Sequence, residues 1–268
     1  MVEATSVAVP AIKTAAAMYS SRKMIFTNIY KLVNFAISSK IVVTGMAGAG
    51  KSYLFDSINQ TVKNVAMTRP SQSVKGEEHF VYMGNGVFPK KVTVIPGQEM
   101  AISLSLMDKE LNQNKKISGV IHVLDFGHNA PRDEYTASNY EADNIYNFKD
   151  LIAYNKAAEL LYLEGIVSRL SSMPVKPKWF CLVLTKTDLY KASDAKKEYL
   201  ENEKFTKIIE RLEAIFGKER MAILVPVCSD ISSITYGTYS IHPRFVKTHK
   251  DSTALLMNLF SIIEMLDN

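Results

Sequence analysis

The residues whose types and spacing can do chemistry are concentrated in one stretch, residues 41–54 (IVVTGMAGAGKSYL). Gly45 and Gly50 bracket four residues and are followed by Lys51 and Ser52, which is the G-x-x-x-x-G-K-[ST] phosphate-binding pattern. The apolar run Ile41 to Val43 reads as a buried strand that delivers the loop. Glycines at 45, 48 and 50 lack Cβ, so the backbone is free to take unusual dihedrals and turn its N–H groups inward. With Ala47 and Ala49 between them, they form a concave anion site. The first turn of a helix starting near Lys51, including Ser52 and Tyr53, adds its N-terminus to that site. Lys51 is expected to reach the β- and γ-phosphates and the Ser52 hydroxyl to ligate magnesium. The ligand implied is a polyphosphate.

These residues need a scaffold, and the rest of the chain supplies one. A length of 268 residues with ordinary apolar content accommodates one α/β domain, here 40–268, preceded by an extension over 1–39. The net charge of +5 is mild and its basic residues are spread out, so no nucleic acid is expected as a partner. Cys181 and Cys228 lie in apolar strand-like runs without metal-ligand spacing, as in a reduced cytoplasmic protein. No run is long and apolar enough to span a bilayer. From Arg22 to Ser38, Ile25, Phe26, Ile29, Val33, Ala36 and Ile37 share one helical face, opposite Lys23, Thr27, Lys31 and Asn34. Two readings of this helix are open. It packs on the protein's own surface or a partner subunit, or it makes peripheral membrane contact as a basic interfacial helix.

Further along, strands are expected over His79–Met83 and Lys91–Ile95, joined by a Gly84-Asn85-Gly86 hairpin turn. Gly119–Asp125 is a nearly continuous apolar strand, followed by a polar loop over 128–147 and a helix over Phe148–Leu170. Trp179–Leu184 is the next strand, Ala195–Phe216 a helix stopped by Gly217, and Ala222–Val227 the last strand. A polar loop over 231–250 leads to a final helix capped by Asp251 or Ser252. Alternating strands and helices imply parallel pairing with crossover helices. The expected fold is α/β, a doubly wound, mostly parallel six-stranded sheet with one antiparallel edge strand. Ligands then sit at the C-terminal ends of the strands.

A second motif, Thr185-Lys186-Thr187-Asp188, closes an apolar strand where that topology returns it to the nucleotide. With the phosphate loop, it makes residues 40–268 resemble a small GTPase of the Ras/Arf-like P-loop superfamily, as a divergent member. The resemblance implies GTP and GDP as ligands, with Mg²⁺. It gives Asp188 the role of accepting from the guanine N1 and N2 amines, Lys186 a place along the base plane, and Thr185 the position where Asn is commoner. An unpaired carboxylate facing adenine supplies the discrimination. Cys228-Ser229 resembles the short motif whose backbone contacts guanine O6. Pro96-Gly97-Gln98-Glu99 resembles the D-x-x-G-Q-E motif, in which Gly97 donates to the γ-phosphate and Gln98 orients the attacking water. The Asp of that motif is Val94 here, which puts magnesium affinity and hydrolysis rate in question. Ser71 is the expected second magnesium ligand, with Thr68 as fallback. Arg69 is read as a solvated loop residue rather than an arginine acting in cis.

Three readings follow. The first is a slow GTP-hydrolysing molecular switch with a protein effector. The second is a GTP- or GDP-binding module with little hydrolysis that supports a protein assembly, and Val94 favours it. The third is a phosphotransferase or ATPase of the same loop class, which requires the TKTD motif to be accidental.

Overall fold

Among the described residues, six stretches of the chain pair into one sheet, and helices cover both of its faces. The computed structural model describes residues 40–54, 56–57, 77–81, 90–97, 100–113, 117–131 and 134–267. The expected extension and helix within 1–39, the Gly84-Asn85-Gly86 turn, Thr68, Arg69, Ser71 and Gln98 lie outside the described residues. In chain order the elements are β1 (Lys40–Gly45), α1 (helical at 51–54 and 56–57), β2 (Glu77–Val81), β3 (Lys90–Val94), α2 (Met100–Gln113) and β4 (Ile117–Leu124). They continue with α3 (Glu134–Ala142), α4 (Phe148–Ser172), β5 (Trp179–Leu184), α5 (Ala192–Glu201) and α6 (Glu203–Phe216). The chain closes with β6 (Met221–Pro226), β7 (Ile234–Tyr236), β8 (Tyr239–Ile241) and α7 (His249–Asp267). Among the described residues no helix is long and apolar enough to cross a membrane.

The strand order is β2-β3-β1-β4-β5-β6. β2 runs antiparallel to β3 at one edge, and every other neighbouring pair is parallel. This is the doubly wound six-stranded sheet expected, with β7 and β8 as a separate antiparallel pair.

Period-two alternation sorts the side chains. Val42, Val120, Leu124, Phe180, Leu182 and Leu184 face a core completed by Met107 of α2, Leu163 and Ile166 of α4, and Phe205 and Leu212 of α6. Ile41, Val43, Ile121, Val123, Trp179 and Val183 face a second core completed by Leu54 of α1 and Leu256, Leu259 and Ile263 of α7. Each such fully buried side chain contributes about 1.5–3 kcal/mol, so the central strands are fixed from both sides. Trp179 also donates its indole N–H to the Asp267 carboxylate at 3.0 Å, tying the end of α7 to β5.

The sheet leaves β1 toward β3 on one side and toward β4 on the other. Strand order reverses there, and the crevice at the C-terminal end of β1 is where such sheets bind ligands.

Four stretches differ from expectation. The 128–147 stretch contains α3, whose sequence EYTASNYEA carries no apolar stripe for periodicity to reveal. Tyr140 anchors it, with its ring edge-on to Tyr154 and Tyr236 and its hydroxyl donating to Asn155 at 3.1 Å. The single helix expected over 195–216 is two, because Asn202 interrupts it and caps α6 by accepting from the Phe205 N–H at 3.0 Å. The 231–250 stretch contains the β7–β8 hairpin, turning at Gly237 with φ +57°. The last helix is capped by Thr248, not Asp251 or Ser252. Thr248 Oγ1 accepts from the Asp251 N–H at 3.2 Å, while its hydroxyl donates to the Asp251 carboxylate at 2.6 Å. β2 and β3 each begin one or two residues before the expected bounds.

Candidate nucleotide site

β1 delivers the phosphate loop directly from the core. Gly45, Gly48 and Gly50 all take positive φ, at +143°, +76° and +90°. The Lys51 side chain is buried across the loop and donates to the carbonyls of Gly45 at 2.8 Å and Met46 at 2.7 Å. The Ala49 N–H donates to the Met46 carbonyl at 3.3 Å and the Ala47 N–H to the Gly97 carbonyl at 3.0 Å. Those two N–H groups are therefore engaged inside the loop assembly.

Gly97 lies flush on the loop. A Cβ there would come within 2.5 Å of the Ala47 nitrogen and overlap the Gly45 carbonyl, so only glycine allows the end of β3 to approach this closely. Ser103 of α2 donates to the Pro96 carbonyl at 2.5 Å and holds that end from behind. Val94 is buried in the apolar core that includes Ala49 and Leu54.

The TKTD segment is joined to the loop by Thr185, whose hydroxyl lies 2.6 Å from the Ala49 carbonyl and 3.2 Å from that of Leu124. Lys186 sits in the left-handed region at φ +56°, and its ammonium donates to Asp125 Oδ2 and to the His128 carbonyl, both at 2.6 Å. Asp188 is only 1% exposed. Its Oδ2 accepts from the Ser232 N–H at 3.3 Å, and among the described residues its Oδ1 has no hydrogen-bond partner. Burial raises the Asp188 pKa above the usual carboxylate value, against the pull of its own and the Ser232 backbone N–H and of the neighbouring Cys228 thiol.

The Cys228 thiol abuts this carboxylate and donates to the Asp230 carbonyl at 3.3 Å. Burial, with Asp188 beside it, pushes that thiol far above its ordinary pKa, so it stays protonated. The carbonyls of Cys228 and Ser229 accept from Ser252 of α7 at 2.6 Å and Ser57 of α1 at 2.7 Å.

Beneath Lys186 lies a buried polar network that the motifs did not reveal. Glu159 of α4 accepts from the Asp125 N–H at 2.7 Å and from the Tyr199 hydroxyl at 2.6 Å. Burial works to raise the Asp125 pKa, but the Lys186 ammonium and the bond with Glu159 outweigh it and keep Asp125 ionised. Burial, then the Asp125 charge, raises Glu159 well above the carboxylate range, so it holds a proton. Burial lowers the His128 pKa, and its ring packs against Phe126 and Tyr190. The one sign in the sequence was an aspartate closing an otherwise apolar strand.

Gly48, Gly50 and Tyr53 open onto the same cavity as Thr185, Lys186 and Asp188, with a volume of about 450 Å³, in the range of small-ligand sites. Ser229 and Asp230 also line it, as do Asn129 to Pro131 and Ser232 to Thr235, which sequence motifs did not single out. This groups the phosphate loop and the TKTD carboxylate around one space. The fit to magnesium is incomplete. Among the described residues no cluster of three His, Cys, Asp or Glu side chains forms a metal site. Ser52 is at the helix start, and Val94, at the position where the sequence resemblance expects a carboxylate, is apolar and buried.

No family model matches the sequence, and no curated protein matches it. Among solved structures it is similar to a bacterial selenocysteine-specific elongation factor, EF-Sec. The identity is 16% over 72% of this chain, with a TM-score of 0.36, and the match spans 26% of that chain, about a quarter of its length. It is also similar to a dimerization-deficient mutant of Toc33 from Arabidopsis thaliana. There the identity is 16%, the coverage 89% of this chain and 88% of that one, and the TM-score 0.45. At such low identity and scores, the reading of the site rests on its own geometry.

Proposed function

We propose that this chain binds GTP and GDP and hydrolyses GTP slowly, as a molecular switch for a protein effector. The observation that carries the reading is the Asp188 carboxylate. It is buried, has one oxygen without a partner among the described residues, and lines the same cavity as the phosphate loop. Guanine offers two donors, N1–H and the N2 amine, to satisfy it. Adenine offers an acceptor at N1 and would leave the buried charge unpaired, a penalty the site cannot avoid.

In this reading Lys51 and the loop hold the β- and γ-phosphates, Thr185 holds the loop against the base end, and the Lys186 stem lies along the base. Cys228-Ser229 contacts guanine O6, Gly97 donates to the γ-phosphate, and Gln98 orients the attacking water. Ser52 and Ser71 would hold magnesium, which would neutralise charge on the phosphates. Val94 supports slow turnover, and it also favours the second reading: a guanine-nucleotide-holding module that supports an assembly.

Single-turnover phosphate release from bound GTP separates the two. The switch reading expects a rate no faster than the roughly 10⁻⁴ s⁻¹ of an unassisted switch, and a drop of tenfold or more in Gln98→Leu. No phosphate released over many hours supports the module. A rate that is measurable but equal in Gln98→Leu removes Gln98 from the mechanism.

A further inference from the structure

Against the phosphate loop, the cavity wall carries a side chain with an unused donor. Asn129 lies in the segment after β4, and its amide is seated directly on Gly48. A Cβ on Gly48 would overlap the Asn129 amide. Its Nδ2 donates to the Ala47 carbonyl. A side-chain amide has two N–H donors, and among the described residues only this one carbonyl is bonded to it.

The backbone beneath Asn129 is fixed. Asn155, itself 1% exposed, donates from Nδ2 to the carbonyls of Asn129 at 2.7 Å and Gly127 at 3.0 Å. The Asn155 carbonyl oxygen accepts from Tyr140, which anchors α3. A polar group held this way keeps its position when a ligand arrives. Asn129 also lines the cavity beside Gly48 and Gly50.

We infer that Asn129 is a further binding residue of this site: its second amide N–H donates to the polyphosphate of the bound nucleotide while the first pins the loop. The inference rests on the guanine-nucleotide reading. A neutral amide suits this place, because it adds a donor beside Lys51 without a second buried charge. A carboxylate in its place would face the phosphates, and its repulsion would grow with their charge.

The test compares Asn129→Ala with Asn129→Asp, by competition of GMP, GDP and GTP against a fluorescent GDP in low and high salt. Both variants lose the bond to the Ala47 carbonyl, and the aspartate is also repelled by that carbonyl; this loop effect weakens all three nucleotides alike, so the dependence on phosphate number carries the test. Asn129→Ala is expected to weaken GTP binding about two- to tenfold, the effect of one hydrogen bond. Asn129→Asp is expected to lose at least a further tenfold on GTP, less on GDP and least on GMP, with the excess shrinking in about 0.5 M salt. Losses that are independent of phosphate number in both variants overturn the role given to Asn129 and leave the guanine reading intact. A wild-type protein that binds none of the three nucleotides overturns both. Should the aspartate variant not fold, Asn129→Lys reports instead. A gain in affinity that rises with phosphate number is expected, and a flat response overturns the inference.

Discussion

Asp188→Asn is the substitution with the most definite consequence. The change is nearly isosteric, and the backbone carbonyl of Asp188 keeps the N–H groups of Arg244 at 2.7 Å and Phe245 at 3.1 Å. The surrounding 232–245 segment therefore stays in place. Burial already disfavours this carboxylate, so the fold should be no less stable without its charge, and the melting temperature should hold or rise. Guanine would lose two hydrogen bonds to a charged acceptor, each worth about 1.5–3 kcal/mol. The asparagine carbonyl preserves one weaker acceptor, which puts the loss of GTP affinity at the lower end, roughly 100-fold. ATP should bind the variant as well as or better than wild type, because the repulsion at adenine N1 is gone. Xanthine presents a carbonyl where guanine has its amine, and it should gain from the new amide donor. Calorimetric titration of wild type and variant with GTP, ATP and XTP at pH 7.5 measures all three. An unchanged GTP-to-ATP ratio in a folded variant would show that the base is read by other residues.

Three further outcomes follow from the same geometry. Lys51→Ala removes the ammonium that lies across the loop on the Gly45 and Met46 carbonyls, and nucleotide binding should be lost; retained GTP affinity contradicts the site. Gly97→Ala forces a methyl group against loop backbone that cannot give way. It should cost about 1–3 kcal/mol, seen as a melting shift of several degrees, with weaker GTP binding; normal melting and binding contradict the packing described. His122, bonded to Thr44 at 2.9 Å, has its pKa lowered to about 3 by burial and then by Lys51. The unfolded chain protonates it near 6.5 while the folded chain does not, so stability falls as pH drops from about 6.5 toward 3, by roughly 1.4 kcal/mol per pH unit. Urea unfolding of wild type and His122→Gln checks this: the variant should lose less over the window, and parallel curves would refute the assignment.

The phosphate loop and TKTD were legible because each is local: a few residues whose types carry the chemistry wherever the chain places them. The sheet was legible from strand alternation, since Val42 and Ile41 must face different cores. What was not legible depends on adjacency. Asp125 meets Lys186 only because β4 lies beside β5, and Asn129 reaches Gly48 only because β4 also flanks β1. α3 has no apolar stripe. The break at Asn202 is local capping within a run whose side chains otherwise permit one helix, and β7 and β8 are three residues each. The consequence of Val94 needed the structure too: its side chain lies in an apolar core, so an aspartate placed there would be a buried carboxylate among Ala49 and Leu54.

Titration of the purified protein with GTP, GDP and ATP, each with magnesium and with a chelator, tests the central claim most directly. The account predicts tight binding of GTP and GDP and at least 100-fold weaker binding of ATP. Equal affinity for ATP and GTP, or no affinity for either, would contradict it.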